Sequence, residues 1–434
     1  MSRNDQGIKL SGLRRAAVVS AFLTAFAGSV VPAEADILHA AEAPSVEETS
    51  DSVTLVPEIT PGSDQPLLKP QSEVVGANLA TEEAGSCGTP TDEGQFACFE
   101  AISPDDKSPL TSGTTSSAAS VAPPQWCEKS TGTPLGNRTQ VCQVNAGIYT
   151  TYKRVDGVTT VSGQANLLFI NYSYGNTGIG RIAHQIEVSA YSGWGEALKA
   201  SISGKATASD QCTVESSSFP SKPIAPLNSW RVGESFFDTT ATNVGDIGRC
   251  ATTWTISLLN SGQAPVNASY RLDDFRCDNA TNGRAGVGCV VSWFPSLLTY
   301  SQAKTPNLVR HVTLAQASGL PGATFDAPLE RATSPIVSVQ NRTLACGDAP
   351  SITGKSCDEY PFASSNNGLY RNGGTRRTFT DCDLPNIPSG TGSKGVSVCM
   401  IPETEQNIQG GTNTQFYRAE RVLDKDPFRV GFRA

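Results

Sequence analysis

Twelve cysteines constrain this 434-residue chain more than any other feature. They are Cys87, Cys98, Cys127, Cys142, Cys212, Cys250, Cys277, Cys289, Cys346, Cys357, Cys382 and Cys399. The number is even, and no two stand as C-x-x-C. A zinc site wants such close pairs or histidines nearby, and His39, His184 and His311 lie far apart in the chain. Disulfides are therefore the expected use. Joining chain neighbours pairs Cys87 with Cys98, Cys127 with Cys142, Cys212 with Cys250 and Cys277 with Cys289. Two further bridges are expected among Cys346, Cys357, Cys382 and Cys399, although spacing does not dictate connectivity.

Disulfides call for an oxidising compartment, and the N-terminus reads as an export signal. Arg3, Lys9, Arg14 and Arg15 form a positive start. An apolar stretch of 16 residues (16–31) and the small-x-small site Ala33-Glu34-Ala35 follow. A signal peptide over 1–35 is expected, with the mature protein secreted and extracellular. No second apolar run is long enough to span a bilayer, so no membrane association is expected in the mature form.

The net charge of −8 argues against a uniformly basic nucleic-acid binder, but the charge is segregated. Residues 36–125 hold 15 acidic side chains against 2 basic ones. Rich in Pro, Ser, Thr and Glu and without lasting periodicity, they are expected to form a disordered acidic linker, tacked locally by Cys87 and Cys98. Residues 126–434 hold 27 basic and 24 acidic side chains, which permits a polyanionic substrate there.

From 126 to 304 the pattern is β. Ile182, His184, Ile186 and Val188 alternate with Ala183, Gln185, Glu187 and Ser189. Trp254, Ile256 and Leu258 alternate with polar neighbours. Gly175-Asn176 and Asn260-Ser261-Gly262 mark turns. These signals predict an all-β, antiparallel, sandwich-like domain with no evident chemistry. His184 falls on the apolar face of its strand and reads as a core histidine.

Residues 305–434 read as a small, self-contained α+β domain. Thr305 and Pro306 look like an N-cap and first-turn proline. Leu308, Val312 and Ala315 follow at helical spacing, with His311 on the same buried side, and Gly319 ends the helix. Strands are expected near 378–379, 395–401 and 427–432, and a short helix after Gly410-Gly411.

Several motifs fail. Gly354-Lys355-Ser356 lacks the upstream glycine of a P-loop, G-x-S-x-G does not occur, and three scattered histidines exclude H-E-x-x-H. The strongest chemical signal is Asp358-Glu359, beside Tyr360-Pro361. Paired carboxylates suit hard cations such as Mg²⁺, Mn²⁺ or Ca²⁺, and a carboxylate can take a proton from an attacking water. In an extended segment the two point to opposite faces, so only one lines a given site unless the chain turns.

The string Cys357-Asp358-Glu359-Tyr360-Pro361-Phe362-Ala363-Ser364 resembles the signature of secreted bacterial deoxyribonucleases of the NucA/NucB family. Three other stretches fit in the same order: Val309-Arg310-His311-Val312, Asn407-Ile408-Gln409-Gly410-Gly411, and the run from Phe416-Tyr417-Arg418 to Asp426-Pro427-Phe428. The resemblance covers 305–434 and implies a metal-dependent endonuclease with a compact fold like the ββα-metal nucleases. It makes Asp358 the general base and Glu359 a site-shaping or metal-linked carboxylate. Asn407 becomes a metal holder, with Glu405 (or Glu403) able to replace it, and His311 a catalytic or structural histidine. Arg310, Arg331, Arg376, Arg377 and Arg418 are the candidate phosphate contacts. The competing reading is a secreted cell-wall or adhesion protein carrying an inactive nuclease-like domain.

Overall fold

The computed structural model describes residues 67–68, 86–104 and 121–434. The expected signal peptide and most of the expected linker lie outside the described residues. Six disulfides form, each between chain neighbours. They join Cys87 to Cys98, Cys127 to Cys142, Cys212 to Cys250, Cys277 to Cys289, Cys346 to Cys357 and Cys382 to Cys399.

Two antiparallel sheets make the β domain. The larger runs through Gln140–Val155, Val158–Asn176, Ile179–Gly195, Arg231–Thr239 and Cys212–Ser218. The smaller runs through Ser201–Asp210, Ile247–Leu259, Val266–Asp278 and Gly288–Val290. The alternation read in the sequence becomes the shared core: Phe169, Ile186, Val188 and Phe237 from one sheet meet Trp254, Ile256, Leu258 and Leu272 from the other. Each such fully buried side chain contributes about 1.5–3 kcal/mol of hydrophobic stabilisation.

One stretch of the acidic segment corrects its expected character. Ser86–Cys87 pairs with Phe96–Ile102, and the latter pairs along Gln140–Val155. Ala97 and Phe99 point into the core. Acidic composition averaged over 36–125 hid this short apolar alternation.

Four helices and two three-stranded sheets follow: α1 (Pro306–Ala317), α2 (Pro335–Cys346), the short α3 (Leu369–Asn372) and α4 (Glu403–Ala419). One sheet is Lys355–Tyr360, Val396–Pro402 and Arg376–Arg377, with Lys355–Tyr360 at its edge. In the other, Pro427–Arg433 lies between Leu329–Glu330 and Ser296–Ser301. The last pairing is parallel, and its Ser296–Ser301 strand precedes the expected boundary at 305. A parallel partner is distant in sequence, so periodicity could not assign it.

The β domain and the C-terminal region are also joined by buried charge. Asp426 accepts Arg138 Nη2 at 3.0 Å and Arg276 Nη1 at 2.5 Å. Arg421, fully buried, donates to Asp278 Oδ1 at 3.0 Å and to the carbonyl of Gly286 at 2.8 Å. A Cβ at Gly288 would collide with the Arg421 guanidinium, so a residue without one lets the two regions close. Among the described residues no helix is long and apolar enough to cross a membrane.

Two helix expectations change. α2 begins at Ser334-Pro335, the same N-cap and first-turn proline pattern that marked α1, and was not read from the sequence. The glycine pair does not turn the chain: Gly410 and Gly411 lie inside α4, where tertiary contacts override low helix propensity.

Candidate functional site

The Lys355–Tyr360 strand carries Asp358 and Glu359 to its two faces, as an extended segment must. Asp358 shares the α1 side with Tyr360, while Glu359 faces α2. The strand is a sheet edge, and a hollow of about 250 Å³ beside it is lined by both. The rest of its wall includes Arg331, Arg342, Gln406, Gln409, Asn413 and Tyr417.

α1 brings His311 to this strand from nearly fifty residues upstream. His311 Nδ1 lies 2.6 Å from Asp358 Oδ2, and Nε2 lies 2.9 Å from Ser397 Oγ. Serine, histidine and aspartate thus form the dispersed string for which the sequence offered no local motif. It is no nucleophilic triad: Ser397 is fully buried and also reaches the Tyr360 carbonyl at 3.3 Å. Its geometric effect is to fix the imidazole, and through it one oxygen of Asp358.

Glu359 is buried, which pushes its carboxyl up to about 7; the neighbouring Asp358 charge adds to this and Arg342 opposes it. Arg342 Nε stands 3.7 Å from Glu359 Oε1 with its side chain largely exposed. The Cys346 to Cys357 bridge ties α2, which carries Arg342, to the strand immediately before Asp358. Asn341, one residue earlier, donates to the carbonyls of Ala363 and Ser365 at 3.0 Å, pinning the loop that follows.

The other candidates separate. Glu405 is buried, and its oxygens accept Leu308 N–H at 2.9 Å and Asn307 Nδ2 at 2.7 Å. It caps the first turn of α1, which its own Thr305 side chain leaves uncapped. Asn407 lies on the exposed face of α4 and does not line the hollow; Gln406, Gln409 and Asn413 do. Arg377 is 3% exposed and donates to Ser318, Gly392 and Lys394 carbonyls, so it is part of the interior rather than the surface. Arg376 pairs with Asp348 and Arg310 with Asp381, and neither lines the hollow. Arg331 does line it, with its guanidinium 3.9 Å from the Tyr417 ring centroid. Arg418 sits in an adjoining hollow.

Sequence reasoning missed Arg342 and Gln406. Recognising Ser334-Pro335 as a helix start would have placed Arg342 one turn before Cys346, on a helix leading to the signature string. Nothing local marked Gln406.

Among the described residues no three His, Cys, Asp or Glu side chains cluster as a metal-binding set. The donors at the hollow are carboxylate and amide oxygens, and the buried Gln406 Oε1 lacks a hydrogen-bond partner among the described residues. This oxygen-rich set suits a hard ion held by one or two carboxylates and otherwise hydrated.

Residues 331–431 match the family described as Deoxyribonuclease NucA/NucB. The match spans α2 to the last strand and contains Asp358, Glu359, Arg342 and Gln406. It begins after α1, so His311 and Arg310 come from outside it. No curated protein matches the chain.

Proposed function

We propose, from a C-terminal region similar to the NucA/NucB deoxyribonucleases, that this protein is a secreted, metal-dependent endonuclease acting on DNA. The observation that carries the reading is the buried pair Asp358 and Glu359 at one hollow, with His311 behind and arginines at the rim.

In this mechanism Arg342 and Arg331 bind the phosphate oxygens. A water attacks phosphorus, its proton passes to Asp358, and the P–O bond opposite breaks. The leaving oxygen takes a proton from solvent. His311 holds Asp358 in place. Glu359 and Gln406 Oε1 would hold Mg²⁺ or Mn²⁺, which when bound supplies charge neutralisation at the phosphate. The strand pair Lys355–Tyr360 and Val396–Pro402, followed by α4, supports a ββα-metal-like arrangement. Six disulfides support an oxidising, extracellular destination.

The test is incubation of the purified chain with supercoiled plasmid and Mg²⁺ or Mn²⁺. Nicking and linearisation are expected, with loss in EDTA and recovery on adding divalent ion. Intact plasmid under every divalent condition would refute the reading.

A further inference from the structure

The hollow over the carboxylates has a neighbour beyond Tyr417. A second, of about 370 Å³, shares Arg331, Thr414 and Tyr417 with it. Its far wall belongs to the β domain: Ile247, Thr281 and Asn282. That wall is tied to the end of α4. Arg284 donates to the carbonyls of Arg418 at 2.8 Å and Ala419 at 2.6 Å. Arg418 Nε in turn donates to the Asn282 carbonyl at 3.3 Å. Gly283, at φ +72°, leaves room for this guanidinium where a Cβ would strike it.

We propose that the second hollow seats the sugar–phosphate strand flanking the scissile phosphate, which makes the β domain one wall of the substrate groove. The proposal rests on the deoxyribonuclease reading above and adds to it a subsite built from both regions. Three observations carry it. The two hollows adjoin, with Arg331, Thr414 and Tyr417 in the walls of both. Arg331 stands at the junction with its Nε unpartnered among the described residues, and Arg418 supplies a second cation further along. The one carboxylate in the hollow, Asp424, is outnumbered by these two cations and is held by Thr333, its Oδ1 accepting Thr333 N–H at 2.8 Å and Oγ1–H at 3.0 Å. On the far wall, Ile247 is 58% exposed and offers an apolar surface to sugar and base faces. Two arginines in one hollow with an aromatic ring and an apolar side chain in its walls suit a polynucleotide strand rather than a small diester.

The experiment compares two substrates on the full chain: a long fluorescent DNA duplex, and bis(p-nitrophenyl) phosphate, which is too small to leave the acidic hollow. Ile247→Asp puts a negative charge on the β-domain wall. Val158→Asp, at a distant hairpin tip, makes the same charge change as a control. For Ile247→Asp the ratio of kcat/KM on the duplex to that on the small diester is expected to fall about tenfold, through KM. Polarisation binding of the duplex should weaken by a like factor, while the control moves neither. Arg418→Ala should lower the salt dependence of duplex binding by about one phosphate contact. An unchanged ratio with unchanged binding overturns the proposal. So does an equal loss on both substrates, which would mean damage to the acidic hollow or the fold. If the wild type cleaves neither substrate, the deoxyribonuclease reading fails. The binding measurement then still decides the groove, since Ile247→Asp must weaken duplex binding for the proposal to stand.

Discussion

The β domain and the C-terminal region each bury a histidine completely and each raise a glutamate, with opposite results. His184 has only Thr252 Oγ1 at 2.8 Å from Nδ1, and Nε2 lacks a partner among the described residues. Burial without a countercharge pushes its imidazole down to about 3, so it is neutral at any ordinary pH. His311, equally buried, meets the Asp358 carboxylate at 2.6 Å. Likewise Glu187 and Glu359 are both raised to about 7 by burial. Glu187 has Gln185 Nε2 at 3.0 Å within a sheet. Glu359 has a second carboxylate beside it, an arginine above and an open hollow. Burial alone therefore does not mark a candidate for chemistry; burial together with a charged partner at a cavity does.

The largest expected effect tests the histidine contrast. Asp358→Asn should reduce single-turnover DNA cleavage by roughly 10²–10⁴-fold, the range of general-base catalysis. His184→Gln should leave cleavage per folded molecule within about twofold, although a buried bond is lost. Equal losses in the two variants, or an Asp358→Asn rate within about threefold of wild type, would break the contrast.

Next in size is the junction between the regions. Asp426→Ala leaves Arg138 and Arg276 buried without their shared carboxylate, and should cost about 3–5 kcal/mol in denaturant melts. For the same reason, and because the Ser296–Ser301 strand is then missing, an excised 305–434 fragment should not fold cooperatively. A soluble, two-state fragment would show the regions to be independent.

The smallest effect concerns the glutamates. Glu187 has a folded pKa of about 7 against an ordinary 4.5. Between those values the folded chain keeps a proton that the unfolded chain has lost, so stability falls as pH rises through this window and is level above it. Glu234, whose residue pairs with Gln185 on the adjacent strand, is raised by burial in the same direction. Glu187→Gln should flatten this part of the stability curve and stabilise the protein above pH 7 by at most about 3 kcal/mol. Cleavage should stay unaffected. A stability curve with the wild-type slope between pH 5 and 7 would show that Glu187 is not the titrating group.

Much of this was legible in the residues themselves. Chain-neighbour pairing anticipated four of the disulfides and the last four cysteines pair among themselves as expected; Cys87 with Cys98 and Cys277 with Cys289 face each other across hairpins. Alternation at Ile182 to Val188 and at Trp254 to Leu258 marked core strands, and Thr305-Pro306 marked α1. The Asp358-Glu359 string marked the candidate site. Each of these is local: a side-chain period or a cap is set within a few residues. What only the tertiary structure decided are the encounters between distant residues. Among these are His311 with Asp358 and Glu405 with the start of α1. So are Arg377 drawn inside, and Arg342 and Gln406 turned to the hollow in place of Asn407. The sequence period shows which face of an element is buried, but not which element covers that face. Whether a buried charge becomes a cap, a clasp or a reactive group depends on the partner that packing delivers.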